Sequence, residues 1–406
     1  MISVINSKFH HHILTPLRGF LADSRTGGVL LILCTVVSLI LANWTGTHGA
    51  YVGFWQRKVA IDGVHLPDTY LLWVNDVLMT LFFFLVAMEI KRELITGELA
   101  SVKKSLLPVV GAFGGMIVPA MIFLLFNAST SFKHGWGIPM ATDIAFSLGV
   151  LSLLGKKVPV QLKIFLAALA IIDDLGAVLT IAFFYTAKLN FLYLFMAMGT
   201  WGVIYWMGRA KVNRLVFYIL PGILLWYFLF NSGVHATIAG VVMAFSIPLS
   251  KLNKIETYLQ KPVTFFIMPV FALANTAIIL PSHFGVVFTS TISFGILAGL
   301  IVGKPLGIFL FTFIATKLKI ASLPVGTNYK QLFGMGMLGG IGFTMSIFTS
   351  NLAYNQETLL IISKVSIISA SVIAACSGYV YMNKLNKAVT LKTKNEPVFE
   401  TSTLAY

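Results

Sequence analysis

Four ionisable residues stand out because they interrupt long apolar stretches of the sequence. Asp173 and Asp174 lie between the apolar runs 164–172 and 175–184, and Asp143 and Lys304 also fall inside largely apolar runs. A charge at membrane depth costs about 2.5–3.5 kcal/mol, so the four together would cost roughly 10–14 kcal/mol if they were unpaired. Such residues need a structural or a functional explanation.

The adjacent pair Asp173 and Asp174 is the most informative of the four. Carboxylate oxygens are the ligands that hard cations prefer, and two neighbouring carboxylates repel each other unless a proton or a cation screens them. The structural alternative is an ion pair with Lys304 or the capping of a broken helix, but one lysine cannot neutralise three acids. The pattern therefore predicts a site that holds either protons or a cation.

The composition shows which elements must position these groups. Of the 406 residues, 57% are hydrophobic and 11% are charged, and the mean hydropathy is +0.88. Soluble domains carry roughly 25% charged residues, so the composition argues against a soluble enzyme. Because about 20 apolar residues span a bilayer as a helix, the sequence predicts an all-α polytopic membrane protein with about 12 transmembrane helices. The predicted runs are 28–44, 69–90, 105–127, 135–154, 160–186, 189–208, 214–230, 233–249, 262–281, 290–315, 331–353 and 358–382.

The net charge of +15 is explained by topology. Most Lys and Arg residues fall in alternate loops on one side of the predicted helices, whereas the opposite side holds Arg57, Lys58, Lys133 and Lys188. Cytoplasmic loops carry an excess of these residues, so we expect an even number of spans with both termini in the cytoplasm. Membrane lipid is then the expected surrounding, and no nucleic acid partner is needed.

One membrane domain is expected over residues 1–383, with two features outside the helices. The external segment 45–68 contains an Asp62-Gly63 turn signal between β-like residues, which predicts a hairpin. The polar segment 384–406 is expected to be a disordered cytoplasmic tail. The two cysteines, Cys34 and Cys376, give no disulfide or metal framework, and no cofactor is expected. The run 10–12 of three histidines is interpreted as a solvated terminal stretch.

The fourth and eleventh predicted helices are rich in glycine and proline. The fourth contains Gly135, Gly137 and Pro139 before Thr142-Asp143, and glycines recur through 334–342 in the eleventh. This density predicts two discontinuous helices, whose free carbonyls and half-helix ends form ion sites. Close helix packing through small residues is the alternative. If runs three to five and ten to twelve are inverted repeats, opposed half-helix dipoles leave positive and negative ends that suit Asp143 and Lys304.

Motifs along nearly the whole chain resemble those of the NhaA-type sodium/proton antiporter family, which is itself one of the cases from which the inverted-repeat rule is known. The matching motifs are Trp73-Val-Asn75-Asp76, Glu89-Ile-Lys91-Arg92-Glu93-Leu94, Ala141-Thr142-Asp143-Ile144-Ala145-Phe146, Ala168-Leu-Ala-Ile-Ile-Asp173-Asp174-Leu-Gly-Ala177, Gly233-Val-His235-Ala-Thr237, Gly303-Lys304-Pro305-Leu306-Gly307 and Gly339-Gly340-Ile-Gly342-Phe-Thr344-Met-Ser346-Ile-Phe348.

The resemblance implies an electrogenic, pH-regulated antiporter of a bacterial inner membrane that expels Na⁺ or Li⁺ in exchange for H⁺. It implies that Asp173 and Asp174 bind the cation and the protons, and that Asp173 pairs with Lys304. Asp143, Lys304 and Thr142 are then the balancing groups at the helix crossing.

The resemblance also implies residues for pH response and a dimer. Glu89, Glu93 and Glu256 match a cytoplasmic pH-responsive cluster, and His235 matches a histidine linked to pH response. Without the resemblance, Glu89 and Glu93 would be read as a solvated helix end and His235 as a helix-end hydrogen-bonding residue. The family further implies a homodimer formed through segment 45–68.

Two other function classes remain as alternatives. A proton-coupled carrier of an organic solute would need a roomier site with side chains that read the solute. An intramembrane aspartyl protease also uses acids on two helices, which Asp143 and Asp173 could mimic, but the Gly-x-Gly-Asp context is missing because Ile171 and Ile172 precede Asp173.

Overall fold

The computed structural model describes residues 15–395 except 60–62, 64, 187–188, 213 and 282–283. The residues that it describes fold almost entirely into helices, numbered here in chain order. The helices are α1 (Thr15–Asn43), α2 (His48–Gln56), α3 (Tyr70–Ile95), α4 (Val102–Asn127), α5 (Ile144–Leu153), α6 (Val160–Phe184), α7 (Phe191–Arg209), α8 (Val216–Ser232), α9 (Ile238–Ser246), α10 (Leu249–Pro262), α11 (Met268–Asn275), α12 (Phe284–Thr289), α13 (Thr291–Lys317), α14 (Tyr329–Gly339), α15 (Phe343–Ala353) and α16 (Glu357–Asn395).

Several of these helices suit a bilayer by length and composition. Within the described ranges, eight helical segments are long and apolar enough to cross a membrane, and the bent pair α14–α15 makes a ninth. Large apolar side chains face outward along them; Leu125 is 82% exposed and Phe183 is 77% exposed, as expected where lipid replaces water. The all-α membrane fold is therefore confirmed, while the number of twelve spans stays a prediction.

The expected hairpin at 45–68 is corrected over its first half, which forms helix α2. Tyr51 and Trp55 lie four residues apart on one face of α2, and the Tyr51 hydroxyl donates to Ser38 Oγ at 3.0 Å and to the Leu273 carbonyl at 3.1 Å. The Tyr51 and Trp55 rings contact each other edge to face, with 6.3 Å between their centroids, which is the i to i+4 neighbourhood that a helix provides. An antiparallel bridge between Lys58 and Thr69 follows, and residues 60–62 and 64 of the expected hairpin lie outside the described residues.

The expected disordered tail is also helical over its first part, because α16 continues to Asn395. The stretch from Lys384 to Asn395 contains neither proline nor glycine, so the helix has no local reason to end at residue 384. Residues 396–406 and the histidine run 10–12 lie outside the described residues.

The core contains two units with the same order of elements. The first is α4, an interrupted helix formed by a 3₁₀ segment and α5, and α6; the second is α13, the interrupted helix α14–α15, and α16. Helices α4 and α13 run antiparallel, since Asn127 at the end of α4 donates to the Thr291 carbonyl at the start of α13 at 3.0 Å. Gly114 in the middle of α4 faces Gly307 in α13. The two units are thus inverted with respect to each other.

Glycines allow α4 and α13 to approach closely at this crossing. A Cβ atom on Gly114 would lie 2.2 Å from the Gly307 carbonyl oxygen, and one on Gly307 would lie 2.1 Å from the Gly114 carbonyl oxygen. Only residues without a side chain let two backbones come so near. The crossing lies one turn from Lys304 and therefore fixes where this lysine enters the core.

Candidate functional site

The two interrupted helices meet at their breaks, in residues 141–143 and 340–342. The Asp143 amide donates to the Ile341 carbonyl at 2.7 Å. Two hydroxyls tie the flanking turns together: Ser147 Oγ donates to the Leu338 carbonyl at 2.9 Å, and Ser346 Oγ donates to the Ile138 carbonyl at 2.7 Å. Backbone groups freed by each break are thus satisfied by the other, as required where water is excluded.

Asp143 faces the amino-terminal ends of two helices. It is the N-cap of α5, and its Oδ1 accepts from the Phe146 amide at 2.9 Å. Its Oδ2 accepts from the Thr344 amide at 3.1 Å and from the Thr344 hydroxyl at 2.5 Å, in the first turn of α15. Helix amino termini carry a partial positive charge, so a buried carboxylate is well matched to this position.

The carboxyl-terminal ends of the other two half-helices face Lys304 and Thr142. The Lys304 ammonium donates to the Met140 carbonyl, at the end of the 3₁₀ helix Lys133–Met140. Thr142 Oγ1 lies 2.9 Å from the Gly339 carbonyl oxygen, at the end of α14. Because helix carboxyl termini carry a partial negative charge, the fully buried ammonium of Lys304 lies where its charge is favoured.

Asp173 and Asp174 project from the middle of α6 and are both buried. Oδ2 of Asp173 accepts from the Lys304 ammonium and from the Thr142 hydroxyl, the latter at 2.7 Å. Oδ1 of Asp173 and Oδ1 of Asp174 have no hydrogen-bond partner among the residues that the structure describes. Buried polar atoms in this condition call for a specific explanation, and oxygen atoms kept free for a cation or a proton supply one.

A cavity of about 60 Å³ lies between this centre and the carboxyl-terminal half of α3. Asp174, Asp143, Thr344, Glu89 and Gln260 are among the residues that line it. It is large enough for water, since one water needs roughly 10–15 Å³, but it is far smaller than the roughly 300–1,000 Å³ of pockets for organic ligands. Glu89 therefore shares a compartment with Asp174.

The donor set at the centre is small. Within the described ranges, no three side chains of the His, Cys, Asp or Glu types come together as a metal-binding group. A cation held by Asp173 and Asp174 must therefore complete its shell with hydroxyl, carbonyl or water oxygens, which are the ligands that a weakly held hard ion accepts. This arrangement suits a transported ion better than a resident metal cofactor.

Glu93 and Glu256 form a second cluster, joined by Arg92. The Arg92 guanidinium lies 3.2 Å from Glu93 Oε1 and 3.1 Å from Glu256 Oε1. Burial raises the pKa of Glu256, the Arg92 charge opposes this, and the Glu93 charge adds to it. Lys91, next in sequence, donates to the Phe245 carbonyl at 2.7 Å and to the Ile247 carbonyl at 2.5 Å at the end of α9. The three glutamates predicted for pH response are thus divided between this cluster, with Glu93 and Glu256, and the cavity, with Glu89.

His235 lies apart from both groups. It follows the left-handed Gly233 at the end of α8, and its Nε2 lies 2.8 Å from the Tyr185 carbonyl oxygen. A carbonyl only accepts, so this nitrogen is the donor. His235 therefore lies at the end of α6, beyond Asp174. Of the residues predicted for the site, Thr142, Asp173 and Lys304 are in direct contact.

Sequence reasoning did not assign two groups that shape the centre. Thr344 was noted only as part of a motif, although it supplies two donors to Asp143. The Met140 carbonyl, which accepts from Lys304, was not assigned any role. A hydroxyl two residues after a glycine-rich break could have signalled Thr344; a backbone carbonyl gives no such signal because every residue has one.

Comparison with known proteins decides the family. The model of the family described as Na⁺/H⁺ antiporter 1 matches residues 18–382. The chain belongs to this family. It is 50% identical over 371 residues to the Na⁺/H⁺ antiporter NhaA of Cytophaga hutchinsonii, covering 90% of this chain and 94% of that protein. It is 46% identical to the Na⁺/H⁺ antiporter NhaA 1 of Flavobacterium johnsoniae, over 90% of this chain and 96% of that protein. It is 45% identical to the Na⁺/H⁺ antiporter NhaA 1 of Klebsiella pneumoniae, over 91% of this chain and 96% of that protein.

Membership of the Na⁺/H⁺ antiporter 1 family makes the chain a multi-pass membrane protein of the transporter class and not an enzyme. The resemblance to this family that the motifs indicated is confirmed. The two alternatives, an intramembrane protease and a carrier of organic solutes, receive no support from the relatives, all of which are named as Na⁺/H⁺ antiporters.

Proposed function

We propose that the protein exchanges Na⁺ or Li⁺ for H⁺ across a bacterial inner membrane, with Asp173 and Asp174 as the shared binding site. The observation that carries this proposal is the pair of buried carboxylate oxygens without protein partners, one on each aspartate. The family membership and the names of the relatives support Na⁺ and H⁺ as the exchanged ions.

Competition for one site under alternating access is the proposed mechanism. When the site faces the cytoplasm, the carboxylates release protons and bind Na⁺; when it faces outward, protons displace the cation. The small cavity that contains Asp174 and Glu89 supports an entry route from the end of α3. Asp143 and Lys304 balance the half-helix ends and keep the two breaks together while the site changes sides.

Transport is electrogenic in this proposal. If both aspartates, or one aspartate and Lys304, exchange protons for each cation, more positive charge enters as H⁺ than leaves as Na⁺. The net charge then moves with the membrane potential, which contributes about 2.3 kcal/mol per charge per 100 mV.

Regulation by pH is assigned to Glu89, Glu93, Glu256 and His235. The Arg92 bridge between Glu93 and Glu256 supports a charge-sensitive contact between α3 and α10. Glu89 supports a link from this contact to the site, since it lines the same cavity as Asp174.

The proposed arrangement in the membrane has both termini in the cytoplasm and a homodimer formed through segment 45–68. The basic loops support the orientation. A Lys58→Cys variant should form a disulfide or cross-linked dimer, whereas Lys319→Cys, in a loop on the opposite side, should not. Equal cross-linking of both variants would contradict the proposed interface.

The decisive experiment measures collapse of a proton gradient by Na⁺ or Li⁺ in everted vesicles. We expect the native chain to respond, and Asp174→Asn and Asp173→Asn to lose the response. Asp68→Asn is the matched control, because Asp68 is exposed outside the predicted spans. Full cation-dependent flux in both site variants would refute the site, and indifference of the native chain to both cations at neutral and alkaline pH would refute the function.

A further inference from the structure

The outer half of the first interrupted helix has an unusual form. Residues Lys133–Met140 make an eight-residue 3₁₀ helix, whereas 3₁₀ runs beyond three or four residues are uncommon because their hydrogen bonds are poorly aligned. This segment leads directly to the Met140 carbonyl, which accepts from Lys304, and to Thr142, whose hydroxyl binds Asp173. Its shape therefore sets the position of two groups that hold the Lys304–Asp173 pair.

Two phenol groups hold this segment from outside. The Tyr185 hydroxyl donates to the His134 carbonyl at 2.7 Å and accepts from the Gly137 amide at 3.2 Å. The Tyr354 hydroxyl donates to the Phe132 carbonyl, just before the segment, at 2.8 Å. Tyr185 thus satisfies both a donor and an acceptor of a helix that cannot satisfy them well by itself.

The glycines in the segment make these contacts possible. A Cβ atom on Gly137 would lie 2.7 Å from the Tyr185 hydroxyl oxygen, and one on Gly135 would lie 2.1 Å from that of Tyr354. Any side chain at either position would displace a phenol. The Gly-x-Gly spacing, noted in the sequence as a sign of helix breakage, therefore also matches the approach of two tyrosines.

Tyr185 is itself anchored to the helix that carries the carboxylates. It is the C-cap of α6, and its amide donates to the Ile181 carbonyl at 3.2 Å. Its carbonyl accepts from His235. The ring of its neighbour Phe184 contacts the Trp136 ring edge to face, with 5.1 Å between the ring centroids. The phenol consequently ties the 3₁₀ segment to the end of the same helix that positions Asp173 and Asp174.

We propose that Tyr185 is a positioning residue for cation binding. Its hydroxyl holds the 3₁₀ segment against the end of α6, so that the Met140 carbonyl and the Thr142 hydroxyl keep Lys304 and Asp173 Oδ2 engaged. Asp173 Oδ1 then stays free and oriented for the cation. Loss of this preorganisation weakens binding without removing a ligand. The inference rests on the proposed function, since its readout is Na⁺-dependent proton flux.

Tyr185→Phe tests the inference because it removes only the hydroxyl. We expect the apparent KM for Na⁺ to rise roughly threefold to tenfold, as for the loss of one or two hydrogen bonds, while the maximal rate per folded protein stays near the native value and the melting temperature falls by no more than a few degrees. Tyr193→Phe is the matched control. The ring of Tyr193, in α7, packs against Tyr227 and Phe228 of α8, and the KM of this variant should equal that of the native chain.

A double-mutant cycle separates the clamp from other effects of these residues. Gly137→Ala should raise the KM as well, because the added methyl group displaces the Tyr185 hydroxyl. If both changes act on one contact, the double variant should show the KM of a single variant and not the product of the two effects. Three results would each overturn the inference. The first is a KM for Tyr185→Phe equal to that of Tyr193→Phe, and the second is a double variant whose increase in KM is the full product of the two single increases. The third is a loss of stability in Tyr185→Phe with an unchanged KM. A native chain without Na⁺ response would instead refute the proposed function.

Discussion

The close crossing of α4 and α13 leads to a sharp prediction for Gly114→Ala. The methyl group would point at the Gly307 carbonyl oxygen, 2.2 Å away, and at two Phe311 carbons, each 2.7 Å away. Lys304 lies one helical turn before Gly307 on α13, and a Cβ atom on the neighbouring Gly115 would already lie 3.6 Å from Lys304 Cδ. The substitution therefore acts on the helix that carries the buried lysine.

The size of the effect follows from these distances. Ordinary contact begins at 3.4 Å, so the two helices must separate by about 1 Å, and overpacking of this kind costs about 1–3 kcal/mol. The higher part of that range applies because the obstructing atom belongs to the backbone and cannot rotate away. Alanine recovers about 0.5–1 kcal/mol of helix propensity, which leaves a net destabilisation of about 1–2 kcal/mol, or a few degrees in melting temperature.

The same displacement moves Lys304 relative to the Met140 carbonyl and Asp173. A misplacement of 1 Å at a working site can reduce its rate by about 100-fold, so we expect Na⁺-dependent proton flux to fall by one to two orders of magnitude. The measurements are thermal unfolding of the purified protein in detergent and gradient collapse in everted vesicles, with flux expressed per folded protein.

Gly199→Ala in α7 is the matched control, because a Cβ atom there would meet nothing within 4 Å. This variant should keep native flux and an equal or slightly higher melting temperature. Gly307→Ala should reproduce the defect of Gly114→Ala from the other side of the crossing. If Gly114→Ala instead matches Gly199→Ala in both measurements, the argument that this contact positions Lys304 is wrong.

Three further substitutions test other parts of the centre. Asp143→Asn turns an NH₂ group toward a backbone donor and removes the charge that faces two helix amino termini; we expect a melting temperature several degrees lower, and an unchanged value in thermal unfolding would contradict this reading. Thr142→Val removes the hydroxyl shared by Asp173 and Gly339, so the apparent KM for Na⁺ should rise roughly threefold to tenfold, while Thr349→Val, whose hydroxyl bonds its own helix, should leave it unchanged. Glu256→Gln should lower the apparent Na⁺ affinity at pH values above the raised pKa of Glu256 and not at pH values below it, where the native carboxyl group is neutral as in the variant. An affinity loss of equal size at all pH values would argue against a role for this charge.

The residues at the centre could be recognised from the sequence to a large extent. Asp173, Asp174 and Lys304 were conspicuous because charges inside apolar runs are expensive at membrane depth. The two breaks were visible from glycine and proline density, since these residues weaken helices wherever they stand. Such signals depend only on residue type and local context, and the helical architecture follows from them as well.

Other features depended on contacts that local sequence does not encode. Segment 48–56 carries turn-forming and aromatic residues, but it forms a helix whose Tyr51 hydroxyl is bonded to α1 and α11. The division of the predicted pH-responsive residues, with Glu89 in the cavity and Glu256 bridged to Arg92, depends equally on how α3 meets α10.

The sequence alone determined that this chain is a membrane protein, where its charges interrupt the apolar helices, and which helices are broken, because transfer free energies and helix propensities belong to residues and their neighbours. The tertiary structure decided which atoms are engaged and which stay free. In the folded chain the Met140 carbonyl accepts from Lys304, Thr344 donates to Asp143, and Tyr185 donates to the 3₁₀ segment. Oδ1 of Asp173 and Oδ1 of Asp174 have no protein partner among the described residues. A hydrogen bond exists only within about 3 Å and along a narrow range of angles, so these assignments follow from the way the two inverted units cross.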